Sequence, residues 1–560
     1  MAVPCHSFGL GAVESYWPRR LLRVTDFTSL PISARGDKVF YDHTARPRYN
    51  IISYTWGRYV AKPDQNGTAI DIRGLPWPVP RIHYDPSAPE STGTGFIGDQ
   101  FKQVLGKIGQ DTQFVWVDVA CIPQKGSSGL TPELQQEADD EIGHQAGIFD
   151  RANQAYVWLH QMSTDRLSQA IEGLRRCDWD VAKDLFSDPW FTSLWTLQEG
   201  YLRKDAILLS CEGDNIISPR DRSPITLGKL MSLTDDLVHR GQSIFYDRFR
   251  YAGIETLLSE NPLVLLGVVP HRKVTEDPDK VCGIMQIFGL KLDRSLGLDE
   301  LRSEFAKQII CKSPVVSQAF THAIEGAIPS WRIPIPSPAK YSSHEGSDQQ
   351  GVDSVKLSNS SVSIGISYEE SGGRPQAPYD HTKLVPKEFY NMVELPWEGR
   401  AQISFDEHGD MVFEGRLIKL KYVQTLLRES DPAVRLGTDN RHTEWLQETH
   451  GEFVNSCRCS VYLDKSSNDG FNPYMAMARD PLNQMPANPL TEIDRLVKKH
   501  PHGYVFVLGK FQSRNEVAYL GILVGQFKKE GTRVTRRYGF CTWSVELNDE
   551  EWIYRRVTIQ

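Results

Sequence analysis

The segment Leu194-Trp-Thr-Leu-Gln-Glu199 places a carboxylate four residues after an indole. Residues four apart lie on the same face of an α-helix, so Trp195 and Glu199 are predicted to be neighbours. A carboxylate beside an indole is partly desolvated, which strengthens its attraction for a nearby cation. Glu199 is therefore a candidate for stabilising positive charge on a ligand. The alternative is an exposed ion pair with Arg203, four residues further on, worth about 0.3–0.5 kcal/mol.

A second acidic residue, Asp118, interrupts the apolar run Phe114-Val-Trp-Val-Asp-Val-Ala-Cys-Ile122. The run is typical of a strand that is covered on both faces, as in a parallel sheet. Ligands of such sheets bind at the carboxyl ends of the strands, where Asp118 is predicted to lie. A buried carboxylate also needs hydrogen-bond donors, so Asp118 could instead accept backbone N–H bonds that hold the loop at 121–124.

Four residues at the end of an earlier apolar segment form a third candidate group: Ser53, Tyr54, Trp56 and Gly57. A glycine here allows a ligand to approach the backbone closely, and the indole could stack on a base. The same residues could also form a tight turn capped by a core aromatic side chain. We regard all four as candidate ligand-binding residues.

The candidate residues follow short apolar segments that alternate with helical patterns. The strand-like segments are 49–55, 114–122, 156–159 and 206–209. Apolar residues recur at helical spacing over 96–109, and Thr131-Pro132 is a typical helix start. Alternating strands and helices predict right-handed crossovers. We therefore expect an α/β domain at 20–215, with a mainly parallel sheet and flanking helices.

The remainder of the chain divides into three predicted parts. Residues 216–334 have a mostly helical pattern. Residues 335–380 are rich in Ser, Gly, Pro and Asp and are predicted to form a flexible linker or loop. Apolar segments separated by charged turns predict a β-rich domain at 381–560.

A glycine motif at 93–98, Gly-Thr-Gly-Phe-Ile-Gly, matches the G-x-G-x-x-G pattern of dinucleotide-binding folds. That pattern must follow a buried strand, however, and residues 84–92 contain two prolines and mostly polar side chains. The interpretation as a Rossmann unit is therefore disfavoured.

Composition excludes several other classes. The net charge is −8 with no basic run, which argues against a nucleic-acid partner. Nine widely spaced cysteines are typical of reduced thiols, and their spacing predicts no metal site. The N-terminus lacks a signal-peptide pattern, and the longest apolar run, 262–270, is too short to span a membrane. We expect a cytoplasmic protein.

Four segments, in order, resemble the heterokaryon-incompatibility (HET) domain family. They are Ile52-Ser-Tyr-Thr-Trp-Gly57, Val115-Trp-Val-Asp-Val-Ala-Cys-Ile-Pro-Gln124, Ile148-Phe-Asp-Arg-Ala-Asn-Gln-Ala-Tyr-Val-Trp-Leu159 and Leu194-Trp-Thr-Leu-Gln-Glu199. Each segment alone is a weak signal, but the ordered set is specific. One departure is Ser193, which stands where the family often has arginine.

The resemblance implies a fungal non-self recognition and cell-death effector whose domain is similar to the Toll/interleukin-receptor (TIR) fold. Some TIR domains cleave NAD at the nicotinamide–ribose bond with a single glutamate, and Glu199 stands at the corresponding place. By this analogy Glu199 is catalytic and NAD is a substrate rather than a cofactor. The substrate would contact Ser53, Tyr54, Trp56, Gly57, Asp118 and Trp195. The analogy is one of fold, which does not prescribe function.

The resemblance also fits a second hypothesis from another class. A non-catalytic TIR-like scaffold would signal by self-association or by binding a protein partner. Ser193 and the Arg203 partner expected for Glu199 favour it. The scaffold hypothesis predicts that toxicity survives loss of the Glu199 carboxylate.

Overall fold

The computed structural model describes most of the first 312 residues and parts of the C-terminal region. The described residues are 16–35, 38–62, 67–84, 95–124, 130–219, 221–239, 257, 265–266, 268–269, 272–312, 323–324, 402–407, 410–430, 459–463, 465–466, 489–513, 516–529, 532–543 and 553–559. The predicted linker at 335–380 lies outside this set.

An eight-stranded sheet forms the centre of the first part of the chain. The strands up to residue 215 are β1 (Arg20–Arg23), β2 (Thr28–Arg35), β3 (Lys38–Tyr41), β4 (Thr44–Ala45), β5 (Asn50–Ser53), β6 (Gly67–Thr68), β7 (Ile82–His83), β8 (Phe114–Trp116), β9 (Ala155–Trp158) and β10 (Ile207–Leu209). The order in the sheet is β10-β9-β5-β8-β1-β2-β3-β4, while β6 and β7 pair with each other.

Only half of this sheet is parallel. Strands β10, β9, β5 and β8 are parallel neighbours, whereas β8 pairs antiparallel with β1 and the pairs from β1 to β4 are all antiparallel. The expected mainly parallel sheet is therefore a mixed one. The sequence pattern did not reveal β1 to β4, a meander whose turns use left-handed backbone at Phe27 (φ 52°) and Asp42 (φ 57°).

The order of the four parallel strands gives the sheet a topological switch point. In chain order they are β5, β8, β9 and β10, but β5 lies between β8 and β9. The chain therefore passes from β5 to β8 on one side of β5, and then crosses to β9 on the other side. In open α/β sheets, ligands bind outside the carboxyl ends of the strands at such a switch point. Ser53 ends β5 at this position.

Helices flank the sheet, with their apolar residues turned toward it. They are α1 (Gly98–Ile108), α2 (Asp118–Cys121), α3 (Pro132–Ile142), α4 (Gln145–Arg151), α5 (Thr164–Arg176), α6 (Trp179–Ala182) and α7 (Leu194–Leu202). The Thr131 hydroxyl caps α3 and Pro132 occupies its first turn, as the sequence predicted. The helical pattern that continues to Ala152 is broken at Gly143 and His144, where α4 begins anew.

The described parts of residues 216–334 are mainly helical and share the core of the first part. They include α8 (Leu227–His239), α9 (Asp279–Met285) and α10 (Leu298–Lys312). Buried side chains such as Ile284 and Phe305 belong to the same apolar cluster as Ile51 in β5. This cluster also reaches Phe413 in the C-terminal region.

The C-terminal region is β-rich, which confirms that part of the prediction. Its elements are β11 (Ala323–Ile324), β12 (Gln402–Phe405), β13 (Met411–Lys419), α11 (Leu420–Ser430), β14 (Cys459–Leu463), β15 (Lys465–Ser466), α12 (Pro489–Lys499), β16 (Tyr504–Ser513), β17 (Glu516–Lys529), β18 (Thr532–Trp543) and β19 (Ile553–Ile559). All except β11 and β15 among these strands join one seven-stranded sheet. No helix among the described residues has the length and apolar character needed to cross a membrane.

Candidate functional site

The Glu199 carboxylate lies at the carboxyl end of the central strand β5. Ser53 Oγ donates a hydrogen bond of 2.5 Å to Glu199 Oε2. Trp190 Nε1 in turn donates to Ser53 Oγ at 2.7 Å, which orients the hydroxyl. Ser53 is buried, while Glu199 keeps partial exposure. The structure thus brings Glu199 and Ser53 together at the switch point of the sheet.

Asp118 lies at the neighbouring strand end and fixes two of the candidate aromatic residues. Its carboxylate accepts hydrogen bonds from Tyr54 Oη at 2.7 Å, Trp56 Nε1 at 2.5 Å and the Val119 N–H at 2.7 Å. The loop at 121–124 is held differently from the sequence interpretation, because Gln124 Nε2 donates to the backbone carbonyls of Asp118 and Ile122. Asp118 therefore positions the residues that follow β5.

Burial controls the charge of Glu199. It raises the pKa of the Glu199 carboxyl to about 8; the bond from Ser53 opposes this shift, and the nearby Asp118 charge adds to it. Burial likewise raises the pKa of Asp118, while the bonds from Tyr54 and Trp56 oppose the rise. The pKa of Tyr54 is raised well above its ordinary value, first by burial and then by Asp118, so this hydroxyl stays protonated and can donate.

The expected ion pair between Glu199 and Arg203 is absent, and that interpretation was wrong. Arg203 instead pairs with Asp205, with Nε 2.7 Å from Oδ1. Its Nη1 also donates to the carbonyls of Phe149 and Ala152. Arg203 follows the last residue of α7 and has non-helical backbone angles (φ −132°, ψ 73°), so the i,i+4 geometry no longer applies.

Trp195 contacts the helical region. Its indole N–H donates to Asp279 Oδ2 at 3.2 Å, and the Arg294 guanidinium lies 5.9 Å from its ring centroid. The indole that bonds to Ser53, beside Glu199, is that of Trp190, which the sequence interpretation missed. The available signal was its place in the Asp188-Pro-Trp190 turn directly before α7, a position that the spacing argument did not consider.

The backbone at Gly57 borders open space. Gly57 is exposed, and a Cβ atom added there would meet no heavy atom within 4 Å. Trp56, beside it, is partly exposed while its N–H is engaged by Asp118. The space in front of Gly57 is therefore not filled by neighbouring residues, and its use by a ligand stays a prediction.

The glycines of the G-x-G-x-x-G pattern serve packing within the chain. A Cβ at Gly95 would lie 2.3 Å from the carbonyl oxygen of His83, and one at Gly98 would lie 2.5 Å from that of Ala69. At both positions the space that a side chain would occupy is filled by backbone of the same chain. Gly93 lies outside the described residues.

Residues 272–294 clamp the helix that carries Glu199. The Leu194 N–H donates to the Lys273 carbonyl at 3.1 Å, and the Lys273 N–H to the Thr192 carbonyl at 2.6 Å. Arg272 Nη1 donates to the backbone carbonyl of Ser193 at 2.9 Å. Further along α7, Gln198 Oε1 accepts the Gln286 N–H at 3.1 Å.

Removal of the clamp carboxylate by Asp279→Ala is expected to lower the free energy of unfolding by about 1–3 kcal/mol. Asp279 is buried and accepts bonds from both Trp195 and Arg294, and its loss leaves a partly buried guanidinium without its carboxylate. Urea unfolding measures the change. Asp277→Ala is the matched control, because Asp277 is exposed and pairs with Lys280 at the surface. Equal midpoints for the two variants would contradict the clamp.

The profile of the Heterokaryon incompatibility protein (HET) family matches residues 49–178. The chain carries a HET domain. This domain indicates a role in heterokaryon incompatibility. No curated protein and no solved structure matches the chain.

The HET match includes Ser53, Tyr54, Trp56, Gly57 and Asp118, and it ends before α7. Glu199 and Trp195 therefore lie beyond the matched residues but join the HET domain through contacts such as the Ser53–Glu199 bond. The candidate site is thus assembled from the HET domain, α7 and the clamp residues 272–294. Among the described residues, no cluster of three or more His, Cys, Asp or Glu side chains could hold a metal ion.

Proposed function

We propose that this HET protein is a cell-death effector that hydrolyses NAD at the nicotinamide–ribose bond, with Glu199 as the catalytic carboxylate. One observation carries the proposal: a partly dehydrated carboxylate lies at the switch point of the sheet, bonded to Ser53. The resemblance of the sequence to TIR-like domains, some of which cleave NAD, supports the choice of substrate.

The chemistry requires few groups. Nicotinamide leaves as a neutral amine from a positively charged ring, so no general acid is needed, unlike in two-carboxylate glycosidases. As the C–N bond breaks, the electron pair goes to the ring nitrogen and the ribose becomes an oxocarbenium-like cation. The Glu199 anion stabilises that cation. Water then adds to the anomeric carbon and releases a proton, which gives ADP-ribose.

The other candidate residues support this step. Ser53 holds the carboxylate at the end of β5, and Asp118 holds Tyr54 and Trp56 at the same edge. We assign Trp56, which is partly exposed, to stacking on the substrate. Trp195 acts as a positioning residue, because its indole binds Asp279 in the clamp.

The pH dependence of hydrolysis follows from the raised pKa of Glu199. Since its pKa of about 8 lies above the ordinary value, the carboxyl is mostly protonated at lower pH. We expect kcat/KM to rise about tenfold per pH unit and to level off above pH 8. The cationic ring of bound NAD favours the anion, so the inflection in kcat should lie at lower pH than that in kcat/KM.

Ser53→Ala should move the kcat/KM inflection to still higher pH, because the Ser53 bond lowers the pKa of Glu199. Ser53→Thr retains a hydroxyl and should restore the wild-type profile. Identical profiles for the wild type and Ser53→Ala would exclude Glu199 as the titrating group. Steady-state rates between about pH 5 and 9 supply the measurement.

The direct test of the proposal is incubation of the purified chain with NAD, with nicotinamide and ADP-ribose quantified. Release of both in equal amounts is expected. If the folded protein releases neither, also at concentrations that promote self-association, the proposal fails. The scaffold hypothesis loses one of its two supporting features, because Arg203 pairs with Asp205 rather than with Glu199.

A further inference from the structure

Arg58 places an unusual charge beside the site. It follows Gly57 directly and is only partly exposed. Its Nη1 donates to Thr192 Oγ1 at 3.0 Å and its Nη2 to the Pro189 carbonyl at 3.5 Å. Both acceptors are neutral, and no carboxylate among the described residues lies within ion-pair distance of this guanidinium. The Asp188 carboxylate attracts this guanidinium without contacting it, and a partly buried guanidinium without a contacting anion is costly, which suggests that an anion binds to it in another state.

The surroundings of Arg58 increase the positive charge. Arg272 Nη1 donates to the Trp190 and Ser193 carbonyls, so two guanidiniums bind the turn at 189–193. The nearby Asp188 carboxylate is buried and accepts the N–H groups of Trp190 and Gln161. Burial raises the pKa of Asp188 to about 7, so it offsets this positive charge only in part near neutral pH.

The same turn connects Arg58 to Glu199. Trp190, within the turn, donates to Ser53 Oγ, which donates to Glu199. A cationic side chain and an anionic one therefore stand at two places on one ligand edge, with the open space at Gly57 next to the cation. A nicotinamide dinucleotide has the complementary charges, namely a cationic ring and an anionic diphosphate.

We propose that Arg58 binds the diphosphate of a dinucleotide substrate, with room for the phosphates in front of Gly57. The inference rests on the proposed function, because it assumes that the ring end of the ligand lies at Glu199. Arginine can donate two parallel N–H bonds to phosphate oxygens. The bond from Arg58 Nη2 to the Pro189 carbonyl, at 3.5 Å, is longer than the bond to Thr192. Phosphate would replace this weaker bond.

The test is equilibrium binding of ADP-ribose to the full-length protein, measured by calorimetry. ADP-ribose has the diphosphate but no nicotinamide, so binding does not depend on turnover. Arg58→Gln should weaken it about 10–100-fold. Arg58→Lys keeps the charge without the planar fork and should fall between. Adenosine has no phosphate and should bind both forms equally. Arg176→Gln, at the exposed end of α5, is the matched control and should not alter either affinity.

Three results would overturn the proposal: no binding of ADP-ribose to the wild type, unchanged affinity in Arg58→Gln, or equal weakening for ADP-ribose and adenosine. Equal weakening for both ligands would indicate that Arg58 only stabilises the turn at 189–193. In that case the melting temperature of the ligand-free variant would also be lower. Arg58-dependent binding of ADP-ribose without any NAD hydrolysis would support the phosphate site while refuting the proposed catalytic function. Failure of the phosphate-site proposal and failure of the proposed hydrolysis therefore give different results.

Discussion

Glu199→Gln is expected to lower the rate of nicotinamide release from NAD by about 10²–10³-fold, the effect of removing one preorganised electrostatic group from a transition state. The amide has nearly the same shape as the carboxylate, and its oxygen can still accept the Ser53 hydroxyl. The fold should therefore persist while the stabilising charge is lost. A nicotinamide assay on purified protein measures the rate, and thermal melting checks the fold.

Glu172→Gln is the matched control for this variant, because Glu172 is a half-exposed carboxylate on α5 that pairs with Arg175 and Arg176. It should hydrolyse NAD at the wild-type rate. Expression of the wild type and Glu199→Gln in cells, with NAD content and viability followed together, extends the test. Turnover near the wild-type rate by a folded Glu199→Gln protein would refute the catalytic assignment. Toxicity that survives the substitution would favour the scaffold hypothesis.

Asp118→Val is expected to destabilise the protein by about 3–5 kcal/mol, because it leaves several buried donors unpaired at about 1–3 kcal/mol each. Valine has a similar volume but removes the acceptor of Tyr54 Oη, Trp56 Nε1 and the Val119 N–H. Tyr54 is buried, whereas Trp56 is partly exposed and can turn to water. Most of the cost therefore arises at the Tyr54 hydroxyl and the Val119 N–H.

Urea unfolding measures this loss of stability as a lower midpoint, provided that the m-value is unchanged. Asp26→Asn is a suitable control, because the Asp26 carboxylate also accepts two N–H bonds, from Arg23, but does so at the surface. Its midpoint should remain close to that of the wild type. If Asp118→Val unfolds at the same urea concentration as Asp26→Asn, Asp118 does not organise the edge of the sheet.

Much of the local structure could be predicted because it depends on neighbours in the chain. The apolar segment at 49–55 and the run at 114–122 predicted β5 and β8, since continuous apolar residues indicate strands covered on both faces. The second strand was predicted too long, because β8 ends at Trp116 and Asp118–Cys121 form the short helix α2. The carboxyl ends of parallel strands share one edge, so Ser53 and Asp118 were expected there. Strands β1 to β4 were missed, because β2 is largely exposed and has little apolar pattern.

The sequence by itself determined that a HET domain is present, which residues follow its buried strands, and that Glu199 lies on a helix. Only the tertiary structure decided which partners those residues meet. Ser53, 146 positions before Glu199, binds its carboxylate, while Arg203 turns away at the end of α7. Trp190 rather than Trp195 enters the site, and residues 272–294 hold the helix in place. The physical reason is that helical periodicity relates residues within one or two turns, whereas the partner of a buried polar group depends on how distant segments pack around it.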